Sequence, residues 1–291
     1  MRLSANRSRW VNVSRLMIIS LFALCISAPA RRLPSQTLDD KATASAERTK
    51  VAQGEYVVVE GANGGAVGPF GEEIYNFHET WTLWHTAKGT YQVEGERQFE
   101  SPKEIARSDR FLAELSRDLT ITRVTEYGRL KWRRDSGPLT CEFLRSALHC
   151  SSNAKHPGQS IELKTPMEKP FGFLWPISAF SLSSITRAAE RDRNRFTRVQ
   201  LVSIEQPSDQ VPVMPMILDG QVRYLGEDKI DIEGQPRRAF KFSIKAMLSP
   251  ELIVWTSPKG LLLGVSVQHE GKDWPEESMK LIHLHEFAGF E

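Results

Sequence analysis

The chain has 291 residues, with 38 lysines and arginines against 36 acids and only three cysteines. This length allows a substantial core, as one large domain or two smaller ones. Without its first 30 residues, which hold four arginines and no acid, 34 basic residues face 36 acids and the net charge is −2. The charge is therefore no argument for nucleic-acid binding.

Residues 1–30 have the three parts of a secretory signal peptide. Arginines come first, the apolar run Leu16–Ala28 follows, and small residues at 28–30 offer a cleavage position. The run is shorter than the roughly 18–20 residues that span a bilayer. We therefore predict export to the periplasm or the extracellular space of a bacterium. The alternative is an uncleaved membrane anchor.

Residues 31–53 show no hydrophobic periodicity and are rich in charged and small side chains, which is typical of a disordered linker. Beyond them, short β-like runs follow one another with turn signals between them. The predicted organisation is a signal peptide at 1–30, a linker at 31–53 and a single antiparallel β domain at 54–291.

The first half of this domain contains a predicted hairpin. Alternating runs at 74–84 and 90–100 flank a five-residue connection that ends in Gly89, a typical hairpin pattern. Residues 101–110 could form a short helix. Two further strands are predicted between residues 110 and 127, because these runs are rich in Thr and Val and are separated by a polar break.

The segment LTCEFLRSALHC holds two of the cysteines, Cys141 and Cys150. Folding it about the Arg145-Ser146 step gives the register of an antiparallel hairpin in which the two sulfur atoms meet. Such a cross-strand disulfide needs an oxidising compartment, which agrees with export. The alternative is two unpaired, half-buried strand cysteines.

A helical insert is predicted near residues 176–193. Leu182, Ile185 and Ala189 share one face of this helix, and a serine ahead of them can cap it. An apolar segment that contains two prolines precedes it and could line or gate the mouth of a curved sheet. The candidate ligand-lining residues are Phe171, Phe173, Leu174, Trp175 and Phe180. The alternative is a helix that simply covers one face of the sheet.

From residue 196 onwards the pattern is strand after strand, without the strand–helix alternation of a parallel α/β fold. Asp219-Gly220 is a two-residue hairpin signal, and Ser257–Gly260 reads as a turn with Pro at its second position and Gly at its fourth. These signals predict an antiparallel β domain with one central helix.

The run DIEGQPRRAFKFSIKAMLSPELIVWTSPKGLLLGVSVQHEG resembles a group of exported bacterial proteins of unknown function. Those proteins are similar to the periplasmic lipoprotein carrier and receptor (Lol-type) fold, and the resemblance covers roughly residues 218–287. It implies a mainly β protein with a single curved antiparallel sheet, a half-barrel wrapped around one or two helical segments and open to apolar ligands. It implies no catalytic residues.

Two pairs of polar residues are weak candidates for chemistry. His283 and His285 share one face of a strand and could bind one metal, although solvent-facing histidines are the simpler interpretation. Glu94 and Glu96 also share a face and could act as a glycosidase-like carboxylate pair. Neither pair stands in a recognisable catalytic or metal-binding motif, so the sequence predicts no cofactor and no metal.

The predicted function is that of an exported, non-enzymatic binding protein. It would hold an apolar or amphipathic, lipid-like ligand in the concave face of the curved sheet. The alternative is a cell-envelope assembly or structural module that binds a protein partner through a sheet edge. A hydrolase is a third hypothesis. No nucleic-acid partner is predicted, and membrane contact is expected only through the signal or anchor segment.

Overall fold

The computed structural model describes residues 48–59, 76–100, 107–127, 138–144, 146–152, 161–168, 170–175, 179–205, 214–246, 251–268 and 278–287. The strands in these ranges are β1 (Arg48–Val59), β2 (Asn76–Thr86), β3 (Tyr91–Glu100), β4 (Arg107–Leu115), β5 (Ile121–Glu126), β6 (Leu139–Phe143), β7 (Ala147–Ser152), β8 (Ile161–Pro166), β9 (Phe171–Trp175), β10 (Thr197–Glu205), β11 (Met214–Ile232), β12 (Gln235–Ala246), β13 (Glu251–Thr256), β14 (Leu262–Gln268) and β15 (Ser278–Glu286). The helix is α1 (Ser183–Arg191).

All of these strands belong to one sheet, in the order β8-β7-β6-β5-β4-β3-β2-β1-β15-β14-β13-β12-β11-β10-β9. Neighbouring strands are antiparallel except β9 and β10, which are parallel and are joined through α1. The first and last strands pair in the middle of the sheet. The predicted class, a mainly β protein with a single curved antiparallel sheet, is confirmed.

The two edges of the sheet are brought together by the chain itself. Only four residues separate β8 from β9, although these strands lie at opposite edges. Phe143 on β6 stacks on Phe171 of β9, with 4.2 Å between ring centroids, and meets Phe173 edge-on at 4.9 Å. The Met167 N–H donates to the Ser146 carbonyl between β6 and β7. The sheet is therefore an unclosed barrel in which β9 packs against β6.

Residues 179–191, here called the inner segment, pack on the concave side of this sheet. Its apolar residues that are at most 2% exposed are Ala179, Phe180, Leu182, Ile185 and Ala189. The Phe180 ring meets Trp81 of β2, and the Ala179 carbonyl accepts the Leu262 N–H of β14. The inner segment thus joins both halves of the sheet and fills the core between them.

The predicted helical insert at 176–193 is longer than the helix observed. The apolar face is confirmed, but α1 begins only at Ser183 and has no side-chain cap. The Ser183 hydroxyl donates instead to the Leu119 carbonyl in the turn between β4 and β5. Tertiary contact has taken the place of the local cap.

The distal part of β11 and β12, residues 226–239, folds over the outer face of the sheet and is here called the outer hairpin. Trp255 Nε1 of β13 donates to Asp228 Oδ2 at 3.0 Å. Ile230 reaches Gly264 of β14, where an added Cβ would lie 3.1 Å from Ile230 Cδ1. Strand β14 is therefore covered on both faces, by the inner segment and by the outer hairpin.

The predicted turn at Asp219-Gly220 is wrong, because β11 runs through both residues. The chain turns instead at Glu233-Gly234, where both φ angles are positive, 56° and 76°. This is the geometry of a type I′ hairpin turn. Gly220 leaves space for a neighbouring side chain, because a Cβ at this position would lie 3.1 Å from Leu201 Cδ1.

Two other boundaries also differ from the sequence analysis. Residues 48–53, predicted as linker, belong to β1 and pair with β2. Residues 107–110, predicted as helix, belong to β4, because cross-strand pairing with β3 overrides a short capping signal. Residues 101–106, the signal peptide at 1–30 and the rest of the linker lie outside the described residues. In the described ranges, no helix is long and apolar enough to cross a membrane.

Both predicted hairpins in the first half are confirmed. Strands β2 and β3 pair across the expected connection. Strands β6 and β7 pair in the predicted register, with Cys141 opposite Cys150 and Phe143 opposite Leu148. The two sulfur atoms lie 2.06 Å apart, at disulfide distance.

One row of paired residues alternates between glycine and a large ring across four strands, Gly54, Trp81, Gly95 and Phe111. A Cβ on Gly95 would lie 2.2 Å from Phe111 Cζ, and one on Gly54 would lie 2.7 Å from Trp81 Cζ2. Each ring thus occupies the space that its neighbouring glycine leaves. This packing lets large aromatics lie flat against a strongly bent sheet.

We expect Gly95→Ala to lower the free energy of unfolding by about 1–3 kcal/mol, because the added methyl group overpacks against Phe111. Urea denaturation measures this loss. Most of it should disappear when Gly95→Ala is made in a Phe111→Ala background, where the ring is absent. Additive losses in that double-mutant cycle would contradict the packing argument.

We expect Cys141→Ala/Cys150→Ala to lower the free energy of unfolding by roughly 2–3 kcal/mol, because the disulfide closes a loop in the unfolded chain. The measurement is urea denaturation with and without reductant, and reductant should leave the variant unchanged. Peptide mass mapping of the unreduced protein should recover the two cysteines in one linked species. Two separately alkylated cysteines would disprove the bridge.

Candidate functional site

An open groove of 630 Å³ crosses the outer face of the sheet over β15, β1, β2, β3 and β4. The tip of the outer hairpin forms one wall. The lining residues are Gln53, Gly54, Glu55, Thr80, Trp81, Thr82, Glu94, Gly95, Glu96, Arg110, Glu233, His283, Leu284 and His285. A smaller groove of 240 Å³ adjoins it, lined by Glu55, His78, Thr80, Glu96 and Gln98. We call the two together the outer groove.

Strand alternation places these polar side chains outside. On β1, Ala52 and Tyr56 are fully buried, whereas Gln53 and Glu55 between them line the groove. The same alternation on β2 and β3 puts threonine and glutamate outside and the core residues inside. The groove is therefore a consequence of the period-2 pattern on adjacent strands.

Two of the groove carboxylates, both on β3, are close to arginines. Glu94 forms an ion pair with Arg48 of β1. Glu96 Oε2 lies 3.8 Å from Arg110 Nε of β4. These are exposed pairs that contribute little to stability.

Two further carboxylates are paired with histidines. Glu55 Oε1 lies 3.1 Å from His78 Nδ1, and Glu233 Oε1 lies 2.7 Å from His283 Nδ1. The hydrogen bond with Glu233 raises the pKa of His283. The same contact lowers the pKa of Glu233. The tip of the outer hairpin is thus joined to β15 by a contact that favours the protonated imidazole.

The weak metal candidates, His283 and His285, lie on one side of their strand and both line the outer groove. Within the described ranges, no group of three or more His, Cys, Asp or Glu side chains could hold a metal. The metal role of His283 and His285 stays a prediction.

The hydrolase candidates, Glu94 and Glu96, line the same groove as the two histidines. The structure therefore brings together pairs that are far apart in the sequence. A carboxyl group that acts as a general acid is held protonated by an apolar environment. The Glu94 and Glu96 side chains are instead 41% and 33% exposed and lie next to arginines, so the geometry gives catalysis no support.

Three of the predicted ligand-lining residues, Phe171, Phe173 and Phe180, are at most 4% exposed. The first two lie where β9 packs against β6, and the third belongs to the inner segment. Leu174 and Trp175 belong to β9 by their backbone, and their side chains lie outside the described part. Phe171, Phe173 and Phe180 do not line the outer groove, and the ligand role of all five residues stays a prediction.

Glu79 and Arg97 stand opposite each other on β2 and β3 and form a buried ion pair that was not predicted from the sequence. Arg97 Nε donates to Glu79 Oε2 at 2.6 Å, and the two side chains are at most 1% exposed. Arg97 also lies 3.7 Å from Glu126 Oε1 and 4.7 Å from the Phe111 ring centroid. The sequence signal for this burial was the period-2 alternation of side chains along β2, which puts Glu79 on the same face as the core residue Trp81.

Burial raises the pKa of Glu79 to about 7, although Arg97 opposes the shift. Burial, assisted by the charge of Glu79, also raises the pKa of Tyr56, which is opposite Glu79 on β1. The Tyr56 hydroxyl donates to the Leu262 carbonyl at 2.6 Å. This polar row lies inside the barrel, and its contacts give it a structural role.

Comparisons with known proteins show the fold. No protein-family model matches the chain, and no curated protein matches it. A solved structure of a beta-barrel-like protein of domain of unknown function DUF1849 from Brucella abortus is similar at 8% identity and a TM-score of 0.53, covering 82% of this chain and 98% of that one. The likeness confirms a barrel-like β fold and says nothing about activity.

Two other solved structures align at TM-scores of 0.35, too low to support an argument. One is a candidate lipoprotein from Parabacteroides distasonis, at 8% identity over 81% of this chain and 96% of that chain. The other is a candidate exported protein with a YmcC-like fold from Bacteroides fragilis, at 8% identity over 82% and 97%. The Lol-type relation stays a prediction.

We expect the stability contributed by Glu79 to decrease with rising pH. Its folded pKa, about 7, lies above the ordinary 4.5, so the contribution is complete below the unfolded pKa and is lost as pH rises through 7. The free energy of unfolding of the native chain, relative to Glu79→Gln, should fall by about 3 kcal/mol between pH 4.5 and pH 8. Urea denaturation across this range is the measurement.

Glu94→Gln, at an exposed position, is the control for this series. Its free energy of unfolding should change with pH as that of the native chain does. A native free energy that rises with pH relative to Glu79→Gln would mean that Arg97 keeps the carboxylate ionised, contrary to this expectation.

Proposed function

We propose that this protein is an exported, non-enzymatic binding protein of the bacterial cell envelope and that its ligand binds in the outer groove. The main observation in support is that the two faces of the sheet differ. On the described concave side, the chain's own inner segment fills the core, whereas the outer groove presents polar side chains to solvent. The proposed export rests on the signal-like residues 1–30 and on the cysteine pair at disulfide distance.

The charge of the groove favours a ligand with positive charge. The described lining of the larger groove has four carboxylates, Glu55, Glu94, Glu96 and Glu233, against Arg110 and against Arg48, which pairs with Glu94. The acids exceed the bases by two when the histidines are neutral, and by one when His283 is protonated. A cleft with an excess of one charge concentrates ligands of the opposite charge and speeds their association. Amide and hydroxyl side chains beside the carboxylates add hydrogen-bonding groups.

The dimensions of the groove suit an extended peptide. It crosses five strands, which at about 4.8 Å between neighbours span about 19 Å. About six extended residues cover this distance. These dimensions support a basic segment of another envelope protein as the ligand. Such a ligand agrees with the assembly-module hypothesis, except that it would bind the face of the sheet and not an edge.

The apolar-ligand hypothesis has less support from the geometry. Phe171, Phe173 and Phe180 already pack against other parts of the chain and are at most 4% exposed. A lipid in the concave face would have to displace these contacts or the inner segment. Burial of the same apolar surface by the chain itself leaves little for a ligand to gain.

We expect the chain to bind a fluorescent basic hexapeptide of alternating Lys and Thr, with an affinity that falls about tenfold in Glu94→Gln/Glu96→Gln. The reason is the loss of two attractive charges, each worth roughly 0.5–1 kcal/mol. Fluorescence anisotropy at physiological salt measures the affinity. The matched control is Glu114→Gln/Glu142→Gln, which removes two carboxylates that are 42% and 41% exposed outside the groove.

Equal losses of affinity in the two double variants would mean that the effect depends only on net charge. That outcome would contradict specific binding in the outer groove. Native mass spectrometry of the protein purified from the envelope provides the second test. A stoichiometric lipid that is removed by extraction would favour the concave-face ligand over the outer groove.

A further inference from the structure

A second charged surface lies on the outer face of β10, β11 and β12. Phe196, in the turn before β10, is 58% exposed, and Leu225 on β11 is 44% exposed. In the described ranges four large hydrophobic side chains are exposed, and Phe196 and Leu225 are two of them. Both stand among basic residues, and we call this surface the basic face: Arg195, Phe196, Arg198, Arg223, Leu225 and Lys245.

The strand register explains why these residues lie together. Arg198 on β10 is opposite Gln221 on β11, which is opposite Lys245 on β12. Val222, next to Gln221, is fully buried. Because side chains alternate along a strand, the arginine and the lysine point away from the core.

Phe196 is in contact with one of these basic side chains. The Arg223 guanidinium lies 5.3 Å from the centroid of the Phe196 ring, within the range of a cation–π contact. Arg223 is itself exposed. An exposed ring is thus positioned beside an exposed guanidinium group.

The cations of the basic face differ from those of the outer groove. No carboxylate that the structure describes forms an ion pair with Arg195, Arg198, Arg223 or Lys245. Two described acids also lie on this surface: Asp219 in the next outward row, and Glu251, which accepts a hydrogen bond from Ser243, the residue opposite Arg223. Four cations against two acids leave the surface with a net positive charge.

We propose that the basic face binds the surface of a bilayer that contains anionic phospholipid. Arginine pairs with phosphate through its planar fork of donors. Phenylalanine and leucine beside basic residues are the composition of surfaces that enter the boundary between headgroups and acyl chains. A soluble polyanion would use the charges but gains less from the exposed ring and the exposed leucine.

The basic face and the outer groove lie on separate parts of the sheet. Strands β13 and β14 stand between β12 and β15 in the strand order. A bilayer that contacts β10 to β12 therefore leaves β15 to β4 accessible. The basic face is also far in sequence from residues 1–30, so substitutions in the basic face test its contact separately from that segment.

The experiment is sedimentation of the full chain with two kinds of vesicle, one of phosphatidylcholine alone and one in which phosphatidylglycerol replaces a third of it. Residues 1–30 carry four arginines of their own, so the contribution of the basic face is the change in the ratio of the two partition coefficients between the native chain and basic-face variants that keep this segment. We expect a clear preference for the anionic vesicles, reduced by raised salt.

Arg198→Glu/Arg223→Glu should lower this ratio at least about thirtyfold, since the loss of two basic residues, each worth about 1 kcal/mol near an anionic surface, already gives that factor. Phe196→Ala should weaken binding to the anionic vesicles about fivefold, because it removes an apolar side chain that enters the boundary. The matched control is Lys88→Glu/Arg117→Glu, an equal charge change at two exposed turn residues on the other half of the sheet. Near-ultraviolet circular dichroism confirms that each variant is folded.

The proposal is overturned by an equal preference for the two vesicles, or by an equal loss in the control variant. It is also overturned if the native chain binds a DNA duplex through the same residues and shows no preference for anionic vesicles.

Discussion

The four-residue link between β8 and β9 is the constraint on which the rest of the structure depends. These strands lie at opposite edges of one sheet, so the sheet must curl until its edges meet. Phe143 then stacks on Phe171, and the edge at β9 packs against β6. A curled sheet needs something to fill its concave side, and the chain supplies the inner segment immediately after β9. The overlap of the two edges thus follows from one short connection, and the parallel β9–β10 pair follows from the crossover through the inner segment.

The same constraint divides the two faces of the sheet between stability and recognition. The concave side holds the aromatic and aliphatic core, together with the buried pair of Glu79 and Arg97. Polar and charged residues remain for the outer face. There they form an acidic groove over β15 to β4 and a basic face over β10 to β12. A protein with opposite charges on two separate outer surfaces could lie on an anionic membrane while it holds a basic partner.

The sequence-based predictions succeeded where local pattern decides the structure and were wrong where packing decides it. The cysteine hairpin was predictable down to its register, because alternation and a short turn leave one pairing that joins the two sulfurs. Asp219-Gly220 has the composition of a hairpin turn but lies inside a strand, since Gly220 is needed to make room for Leu201. Both weak pairs, Glu94 with Glu96 and His283 with His285, were identified, but their shared groove was not predictable.

By itself, the sequence determined the mainly antiparallel β class, the hairpins of the first half and the apolar face of α1. These features depend on the period of the side chains and on short loops, which are local properties. Tertiary structure decided the overlap of the sheet edges, the fold of the outer hairpin over β14, the burial of Glu79 with Arg97 and the two charged surfaces. Each of these depends on strands that are adjacent in the sheet and distant in the chain, and no local pattern specifies which strands will be neighbours.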